Sequence, residues 1–343
     1  MKKGNPTIHE IARALNINSS TVSRALNDSS RVTQKTKEKV LAKAKELGYQ
    51  RNLLASNLRR SRSNTIGVVV PRISRHFFSS TIAGIEEAAF SAGFNVIICQ
   101  SLEALDREQR IVKNLIANRV DGILISVSME TTNSKHLEYF RDNGIPLVFF
   151  DRHCADMPDA SKVLIDDRQA AYDAVTHLIG KGCRKIAHFS GPQELRIYKN
   201  RLKGYKEALR DNQITYNPKL VLTSKLMEAD GYASAQKLLE SSKDVDGIFA
   251  ANDVSAIGAI KYLKKQGKQI PEDMAIVGFS NEPISEAIEP SLTTIDQSGF
   301  EIGKIACDLL VDNIRSREST GIHNKTIFID TTLIERGSTQ KNG

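Results

Sequence analysis

The strongest constraint on the fold is a regular alternation of two apolar patterns from Thr65 onward. Short runs rich in β-branched residues are separated by stretches with helical apolar spacing, such as TIAGIEEAAFSAG. The predicted strands are TIGVVV, NVIIC, DGILISV and IPLVFF in one unit, and KIAHFSG, LVLTS, VDGIFAAN and MAIVGFS in a second. Strands that alternate with helices predict a parallel sheet covered by helices on both faces. We therefore predict two doubly wound α/β lobes, with the pattern restarting after Val163.

Polar residues follow several of these predicted strands directly. The pairs DR, ND and SN come after IPLVFF, GIFAA and AIVGF, and Arg201 opens the predicted helix RLKGYKEALR. Ligands bind such sheets at the carboxyl ends of their strands, and two facing lobes form a cleft there that can close by hinge motion. Carboxylate, amide and guanidinium groups suit a sugar or another polyhydroxylated molecule. Phe77 and Phe78 can stack on its apolar face, whereas Asp253 is predicted to cap the next helix.

The first 62 residues differ from the rest of the chain in charge. They carry 14 lysines and arginines and four acidic residues, whereas the formal net charge of the whole chain is +8. A basic head on a nearly neutral body indicates a polyanion partner for the head. A solvated basic arm without a partner is the alternative.

The sequence of the head predicts three short helices. The sequence TIHE is a capping box for a first helix, and Asn16 suits the tight turn after it. Within NSSTVSRALN, Asn18 caps a second helix from Ser19 to Leu26, whose apolar residues fall on one face and whose short polar residues fall on the other. Thr33 begins a third helix, with an apolar stripe that is predicted to include Leu41. Two short helices joined by a tight turn form a helix-turn-helix, and short hydroxyl side chains allow close approach to base edges. A small helical domain for protein contact is the alternative.

The segment after the head, QRNLLASNLRRSRSN, predicts a marginal two-turn helix. Leu58 lies among arginines, an arrangement that suits a wedge in the DNA minor groove. A charged linker is the alternative reading of this segment.

The chain also lacks the signals of other protein classes. No apolar run reaches membrane-spanning length, and the two lysines near the N-terminus precede no apolar region, so we expect a cytoplasmic location with no membrane partner. The four cysteines form no CxxC pair and are expected to be buried thiols. Nucleotide-binding glycine motifs, HExxH and GxSxG are absent from the sequence, so we do not expect an enzyme or a cofactor. The C-terminus has no leucine heptads, which favours a dimer over a coiled-coil tetramer.

The run from TIHEIARALNINSSTVSRALND to TIGVVVP closely resembles the LacI/GalR family of bacterial transcription regulators. The resemblance continues through DGILI, NRLKGY, FAAND, IVGFSN and PSLTTI, and so covers nearly the whole chain. It implies a helix-turn-helix head at residues 1–50, a hinge helix and linker at 51–62, and a two-lobed body of the periplasmic-binding-protein type at 63–343. The approximate lobe boundaries are 63–162 with 294–324 for the first lobe and 163–293 with 325–343 for the second.

The resemblance implies a site role for particular residues. Double-stranded operator DNA would be bound by a homodimer, through Thr7, Ser19, Ser20, Thr21, Ser23, Arg24, Asn27, Arg31, Thr33, Thr36, Tyr49, Asn52, Ala55, Leu58 and Arg59. A small-molecule effector, expected to be a sugar or sugar derivative, would contact Phe77, Phe78, Ser128, Asp151, Arg201, Leu226, Asn252 and Ser280. Many family members carry an aspartate at the position of Ser280, and the neutral serine here would ease the approach of an anionic sugar.

These implications combine into one predicted mechanism. Closure of the cleft around the effector would change the spacing of the two heads and so permit or forbid the hinge helix around Leu58. The sign of this coupling is not readable from the sequence, and induction and corepression both stay open. The alternative function is a solute-binding protein of a transport system without a regulatory role. The basic head and the lack of an export signal argue against it.

Overall fold

The chain divides after Ser63 into a helical head and an α/β body. The computed structural model describes residues 6–49, 63–242, 244–317, 319 and 321–340. The hinge residues 51–62, and with them the predicted contacts Asn52, Ala55, Leu58 and Arg59, lie outside the described residues.

The head consists of three helices around a small apolar core. They are α1 (Ile8–Leu15), α2 (Ser19–Leu26) and α3 (Gln34–Glu46). Each helix contributes one fully buried residue, namely Ile11, Val22 and Val40, and smaller alanines fill the space between them. The predicted helix-turn-helix is therefore formed, because the apolar positions of α1 and α2 face one another and α3.

The predicted ends of these helices agree with the structure, with one exception in the core. The backbone N–H of Thr7 donates to the Glu10 carboxylate at 2.6 Å, as a capping box requires. Asn16 ends α1 in the left-handed conformation with φ 51°, and Gly48 follows α3 with φ 67°. The prediction that Leu41 belongs to the core is wrong: its side chain is 54% exposed. One residue along a helix turns a side chain by about 100°, which carries Leu41 past the buried stripe.

The body contains the remaining strands and helices. The strands are β1 (Thr65–Val70), β2 (Asn95–Gln100), β3 (Gly122–Ile125), β4 (Leu147–Phe150), β5 (Ser161–Ile165), β6 (Ile186–Ser190), β7 (Val221–Thr223), β8 (Gly247–Ala250), β9 (Ala275–Val277), β10 (Thr294–Asp296), β11 (Thr326–Ile329) and β12 (Thr332–Ile334). The helices are α4 (His76–Ala92), α5 (Leu105–Ala117), α6 (Glu138–Asp142), α7 (Asp167–Gly180), α8 (Arg196–Asp211), α9 (Glu228–Ser241), α10 (Asp253–Lys265), α11 (Ile284–Ala287) and α12 (Gly299–Ser316).

Two parallel sheets form the two predicted lobes. The first has the strand order β11-β5-β4-β3-β1-β2, and the second has the order β7-β6-β8-β9. In the first lobe, α4 and α12 pack on one face of the sheet and α5 and α6 on the other. In the second lobe, α7 and α8 cover one face and α9 and α10 the other. Helices on both faces explain why the central strands are apolar on both sides.

The predicted boundaries between the lobes are wrong at two places. β5 pairs with β4, and β11 pairs with β5 in parallel register, so both strands belong to the first sheet. Residues 163–165 and 326–329 are therefore part of the first lobe, not of the second as predicted. The chain passes between the lobes after β5, between β9 and α12, and after β11. β10 and β12 pair antiparallel in the last two of these segments.

Candidate nucleic-acid interface and ligand cleft

The polar face of α2 is accessible, as the sequence predicts. Val22 and Ala25 are buried, which turns Ser20 and Arg24 outward as exposed side chains. Ser19, Thr21 and Ser23 are half-buried around them, and Asn27 is exposed at the end of the helix. Short side chains beside one exposed guanidinium form a surface that can approach the edges of bases closely.

Two hydrogen bonds hold this polar face in place. Ser19 Oγ lies 3.0 Å from Nδ1 of His9 in α1, and the Asn27 amide donates to the Ser23 carbonyl at 2.7 Å. His9 was not predicted as a site residue, because the ten-residue separation from Ser19 hides the contact until α1 and α2 are packed. The bond positions the start of α2 relative to α1.

The residues predicted to contact phosphate are distributed around the helix ends. Thr7 and Thr33 precede the first residues of α1 and α3 and are exposed, and so is Arg31. Thr36 and Tyr49 are half-buried. Helix N-termini present backbone N–H groups that bind phosphate oxygens, so these positions suit backbone contacts to DNA.

A cavity of about 340 Å³ lies between the two lobes, where the carboxyl ends of the strands meet. Most of the predicted ligand contacts line it, namely Phe77, Phe78, Asp151, Arg201, Asn252 and Ser280. The rings of Phe77 and Phe78 meet edge to face with their centroids 5.1 Å apart. The structure thus brings an aromatic pair and several hydrogen-bonding groups from both lobes into one cleft.

Two of the predicted ligand contacts do not line this cavity. Ser128 is fully buried, with its backbone N–H donating to Glu108 at 2.6 Å and its hydroxyl 2.8 Å from that of Thr131. Leu226 is also fully buried and contributes its carbonyl, which accepts from the Asn252 amide at 3.0 Å. Local polar and apolar packing holds both side chains inside their lobes, so neither side chain faces this cavity. Their contact with a ligand stays a prediction.

The prediction that Asp253 caps α10 is also wrong. Asn252 is the N-cap, and its side-chain oxygen accepts from the Ser255 backbone N–H at 2.8 Å. Asp253 is fully buried, and its carboxylate accepts from the Thr294 and Ser285 hydroxyls. It therefore links α10 to the segment that carries Ser280. Burial raises the pKa of Asp253 to about 6.

Asp151 lies in a buried charged group at the end of β4. Its backbone has φ 60°, a left-handed conformation that is uncommon for a residue other than glycine. Ser126 donates to its carboxylate at 3.2 Å, and Arg152 beside it donates to Glu103 at 2.8 Å. Burial raises the pKa of Asp151, which the nearby guanidiniums of Arg152 and Arg201 oppose. Backbone strain of this kind concentrates at ligand sites.

Arg201 is held rigidly on the wall of the second lobe. Its guanidinium contacts Asp167 at 2.7 Å and donates to the Ala251 carbonyl at 2.7 Å. The Phe279 ring lies against it, with the guanidinium carbon 3.6 Å from the ring centroid. Because Arg201 is anchored on three sides, it can present its remaining donors to a ligand without losing side-chain freedom on binding.

Ser280 lies opposite a glutamine. Its hydroxyl donates to the Gln297 side-chain oxygen at 2.7 Å, and its φ is 107°. Further cavity residues were absent from the predicted site: Arg72, Arg75, Glu103, Glu130, Arg152, Tyr198, Lys225, Met227, Glu282 and Gln297. Arg152 follows a predicted strand directly, a signal that could have identified it, whereas the others lie in loops or helices without a distinguishing pattern.

The described residues contain no group of three or more histidine, cysteine or acidic side chains that could hold a metal ion. Cys154, Cys183 and Cys307 are buried, as expected, whereas Cys99 is partly exposed, so the expectation of a buried thiol is wrong there. Within the same part of the chain, no helix combines the length and apolarity needed to cross a membrane.

Comparison with known proteins extends over almost the whole chain. Residues 7–52 match the family model of bacterial regulatory proteins of the lacI family, and residues 175–339 match that of the periplasmic binding protein-like domain. The HTH-type transcriptional repressor CytR of Escherichia coli (strain K12) is 33% identical over 334 residues, which are 97% of this chain and 96% of that protein.

Two solved structures show the same architecture. The Lac repressor dimer bound to operator and the anti-inducer ONPF is 25% identical, with a TM-score of 0.85 over 98% of this chain and 100% of that chain. The complex of the transcriptional regulator CelR with cellobiose is 29% identical, with a TM-score of 0.74 over 97% of this chain and 100% of that chain. Since the relatives are transcription regulators and not enzymes, the chain is a DNA-binding transcription regulator that belongs to the LacI family.

Proposed function

We propose that this protein is a repressor that binds a near-palindromic operator as a homodimer, and that a sugar or sugar derivative in its cleft sets the affinity for that operator. The observation that carries the proposal is the cleft of about 340 Å³ with Phe77 and Phe78 on one side and Arg201 and Asn252 on the other. A ligand that contacts both lobes favours their closure over the open form. The cellobiose complex of CelR supports a sugar as the class of ligand.

The DNA contacts follow from the exposed polar face of α2. Ser20 and Arg24 would enter the major groove, and the helix starts at Thr7 and Thr33 would contact phosphate. Leu58 would enter the minor groove at the centre of the operator. Closure of the cleft would then change operator affinity through the hinge segment, with a coupling of about 1–3 kcal/mol.

The experiment that tests this proposal is a selection of genomic DNA fragments by the purified protein, with and without candidate sugars. We expect one palindromic site to be enriched, and one sugar to increase or decrease its recovery. That change also determines whether the ligand induces or corepresses. Recovery of no common site under any of these conditions would refute the operator part of the proposal. A common site that responds to no sugar would refute the effector part.

Matched variants separate base reading from general charge attraction. Arg24→Ala should weaken binding to the selected site by about 1–3 kcal/mol and leave binding to unrelated DNA much less affected. Lys39→Ala removes the same charge from the exposed side of α3 and should affect both DNAs equally. Leu58→Ala should likewise weaken specific binding more than non-specific binding. An equal loss on both DNAs would contradict the wedge assignment.

A carboxylated sugar is the second candidate ligand. Arg72 and Lys225 line the cleft, and neither is paired with a carboxylate among the described residues. The acidic residues Glu130 and Glu282, in contrast, each accept a backbone N–H. Calorimetric titration with a neutral sugar and with its uronic acid distinguishes the two candidates. Equal binding of both would count against the acidic one.

A further inference from the structure

A second cavity lies where the chain crosses between the lobes. Its volume is about 450 Å³, and we call it the crossover cavity. Residues of β5 and β11 form its wall in the first lobe, and residues at the starts of α7 and α8 form its wall in the second. Asp151, Arg152 and Ile197 line both this cavity and the ligand cleft, so they form the partition between the two.

Basic side chains from both lobes meet in the crossover cavity. Lys162 projects from β5, whereas Arg196 and Lys203 project from α8, about two turns apart. Among the described residues, none of the three has a carboxylate within the 4.0 Å of an ion pair. The acidic residues on the same wall are already engaged: Asp167 pairs with Arg201, and Asp166 caps α7.

Lys162 is unusual because its charge is buried. The residue is 8% exposed, and its ammonium group donates to the Pro158 carbonyl at 2.7 Å. An ammonium group has three donors, so two of them are left for another acceptor. Burial and the charge of Arg196 lower the pKa of Lys162, although the charge of Asp159 opposes this. The unliganded cavity thus holds like charges in mutual repulsion, which a bound anion would relieve.

Two further arginines line the cavity, but both are paired, Arg152 with Glu103 and Arg168 with Glu207. The first-lobe wall is partly apolar. Phe328 of β11 is 62% exposed, and Leu164 of β5 lies on the same wall. We propose that the crossover cavity is a second ligand site, which binds a small organic phosphate between Lys162, Arg196 and Lys203 and places the remainder of the molecule against Phe328. A phosphate dianion matches three unpaired cations better than a single carboxylate does. The ligand would contact both lobes independently of the sugar in the cleft.

Isothermal titration of the full-length protein with inorganic phosphate, at constant ionic strength and against chloride, tests this site. We expect saturable binding of one phosphate per chain. The double variant Arg196→Gln/Lys203→Gln should weaken that binding about tenfold or more, because it removes two charged hydrogen-bond donors from the phosphate. Both side chains are exposed, so the variant is expected to fold. Lys162→Met should show the same loss of phosphate binding, and its circular dichroism spectrum checks that this variant is folded.

Lys199→Gln is the matched control, because Lys199 lies on α8 with the same charge but does not line the crossover cavity. This variant should bind phosphate as the wild type does. An equal loss in Lys199→Gln, or the absence of saturable phosphate binding to the wild type, would overturn the proposal. The titration uses neither DNA nor sugar, so its failure would leave the proposed repressor function untouched.

Discussion

The carboxylate of Glu282 accepts the backbone N–H of His76 at 3.2 and 3.3 Å. His76 is the first residue of α4 in the first lobe, and Glu282 follows β9 in the second, so this bond joins the lobes beside the cleft. We expect Glu282→Ala to favour the open form and to weaken effector binding by about 1 kcal/mol, the usual contribution of such a bond at a helix N-terminus. Calorimetric titration and small-angle scattering measure both effects.

Glu286→Ala is the matched control for that prediction. Glu286 is exposed on α11, four residues along the chain, and makes no described contact to the first lobe. It should leave the effector affinity and the radius of gyration unchanged. If Glu282→Ala behaves like Glu286→Ala in both measurements, the bond to His76 does not hold the lobes together.

Loss of Arg201 should destabilise the second lobe strongly. The change Arg201→Met leaves the Asp167 carboxylate buried without its partner, which costs about 3–5 kcal/mol. Burial already raises the pKa of Asp167 to about 6, against the attraction of Arg201. Urea unfolding gives the free energy difference. Arg168→Gln is the matched control, because it removes a neighbouring ion pair with Glu207 in which the Arg168 side chain is 44% exposed. It should lower the free energy of unfolding by less than about 1 kcal/mol.

Asp151→Asn should weaken effector binding more than it weakens folding. The change keeps the shape of the side chain but removes the charge that strengthens a hydrogen bond to a sugar hydroxyl, with an expected loss of about tenfold in affinity. Asp142→Asn makes the same change at the exposed end of α6 and should have no effect on binding. Titration with the effector found by fragment selection measures both variants. An unchanged affinity in Asp151→Asn would remove Asp151 from the binding site.

His188 should make stability depend on pH. It is fully buried between the rings of Tyr205 and Phe249, and burial lowers its pKa to about 4 from an ordinary value of 6.5. His188 therefore binds a proton at a higher pH in the unfolded chain than in the folded chain. The free energy of unfolding consequently decreases as the pH falls from 6.5 towards 4. The full effect is about 3 kcal/mol.

Urea unfolding between about pH 7.5 and about pH 4.5 measures this dependence. The difference between the wild type and His188→Gln isolates the contribution of this histidine, because the glutamine does not titrate. His76→Gln, at an exposed side chain, should follow the wild type. If the free energy of unfolding depends on pH in the same way in the wild type and in His188→Gln, His188 does not cause the loss of stability at low pH.

Gly303→Ala should destabilise the first lobe by about 1–3 kcal/mol through overpacking. A methyl group at Gly303 of α12 would collide with the Thr81 carbonyl oxygen of α4, and one at Gly84 of α4 would collide with the Phe300 carbonyl oxygen of α12. Gly180→Ala is the control, since a methyl group there meets no atom within 4 Å. Thermal unfolding of the two variants compares them. A neutral Gly303→Ala would mean that the two helices can move apart at little cost.

Much of this architecture is readable from the sequence because it rests on local patterns. The runs TIGVVV, IPLVFF and VDGIFAAN are continuous β-branched or apolar segments, and each contains a buried strand. β5, β10, β11 and β12 were not predicted. β10 and β12 have three residues each, and the paired residues of β5 and β11 are separated by 164 positions of the chain (326 − 162), which no local pattern encodes.

The residues of the candidate site could be predicted where they follow a strand, but not where tertiary contacts decide the direction of the side chain. Asp151 and Asn252 face the cleft because they follow strands at the correct edge of a sheet. The prediction that Arg201 opens a helix is wrong, since α8 begins at Arg196, but Arg201 still lines the cleft from the second turn of that helix. Ser128 and Leu226 lie near that edge, but their side chains turn inward, where hydrogen bonds and packing hold them. The direction of a side chain in a loop depends on such tertiary contacts, and spacing along the chain does not specify it.

The three passages of the chain between the lobes have a consequence for how such proteins can be recombined. Each lobe is assembled from separate stretches of sequence, so no single cut within residues 64–340 yields an intact lobe. The head, in contrast, is one continuous stretch joined to the body once. Exchange of DNA specificity between relatives therefore requires a single junction in the hinge segment, whereas exchange of a lobe requires several junctions at once. The head can therefore be exchanged by itself, whereas the two lobes of the body have to be exchanged together.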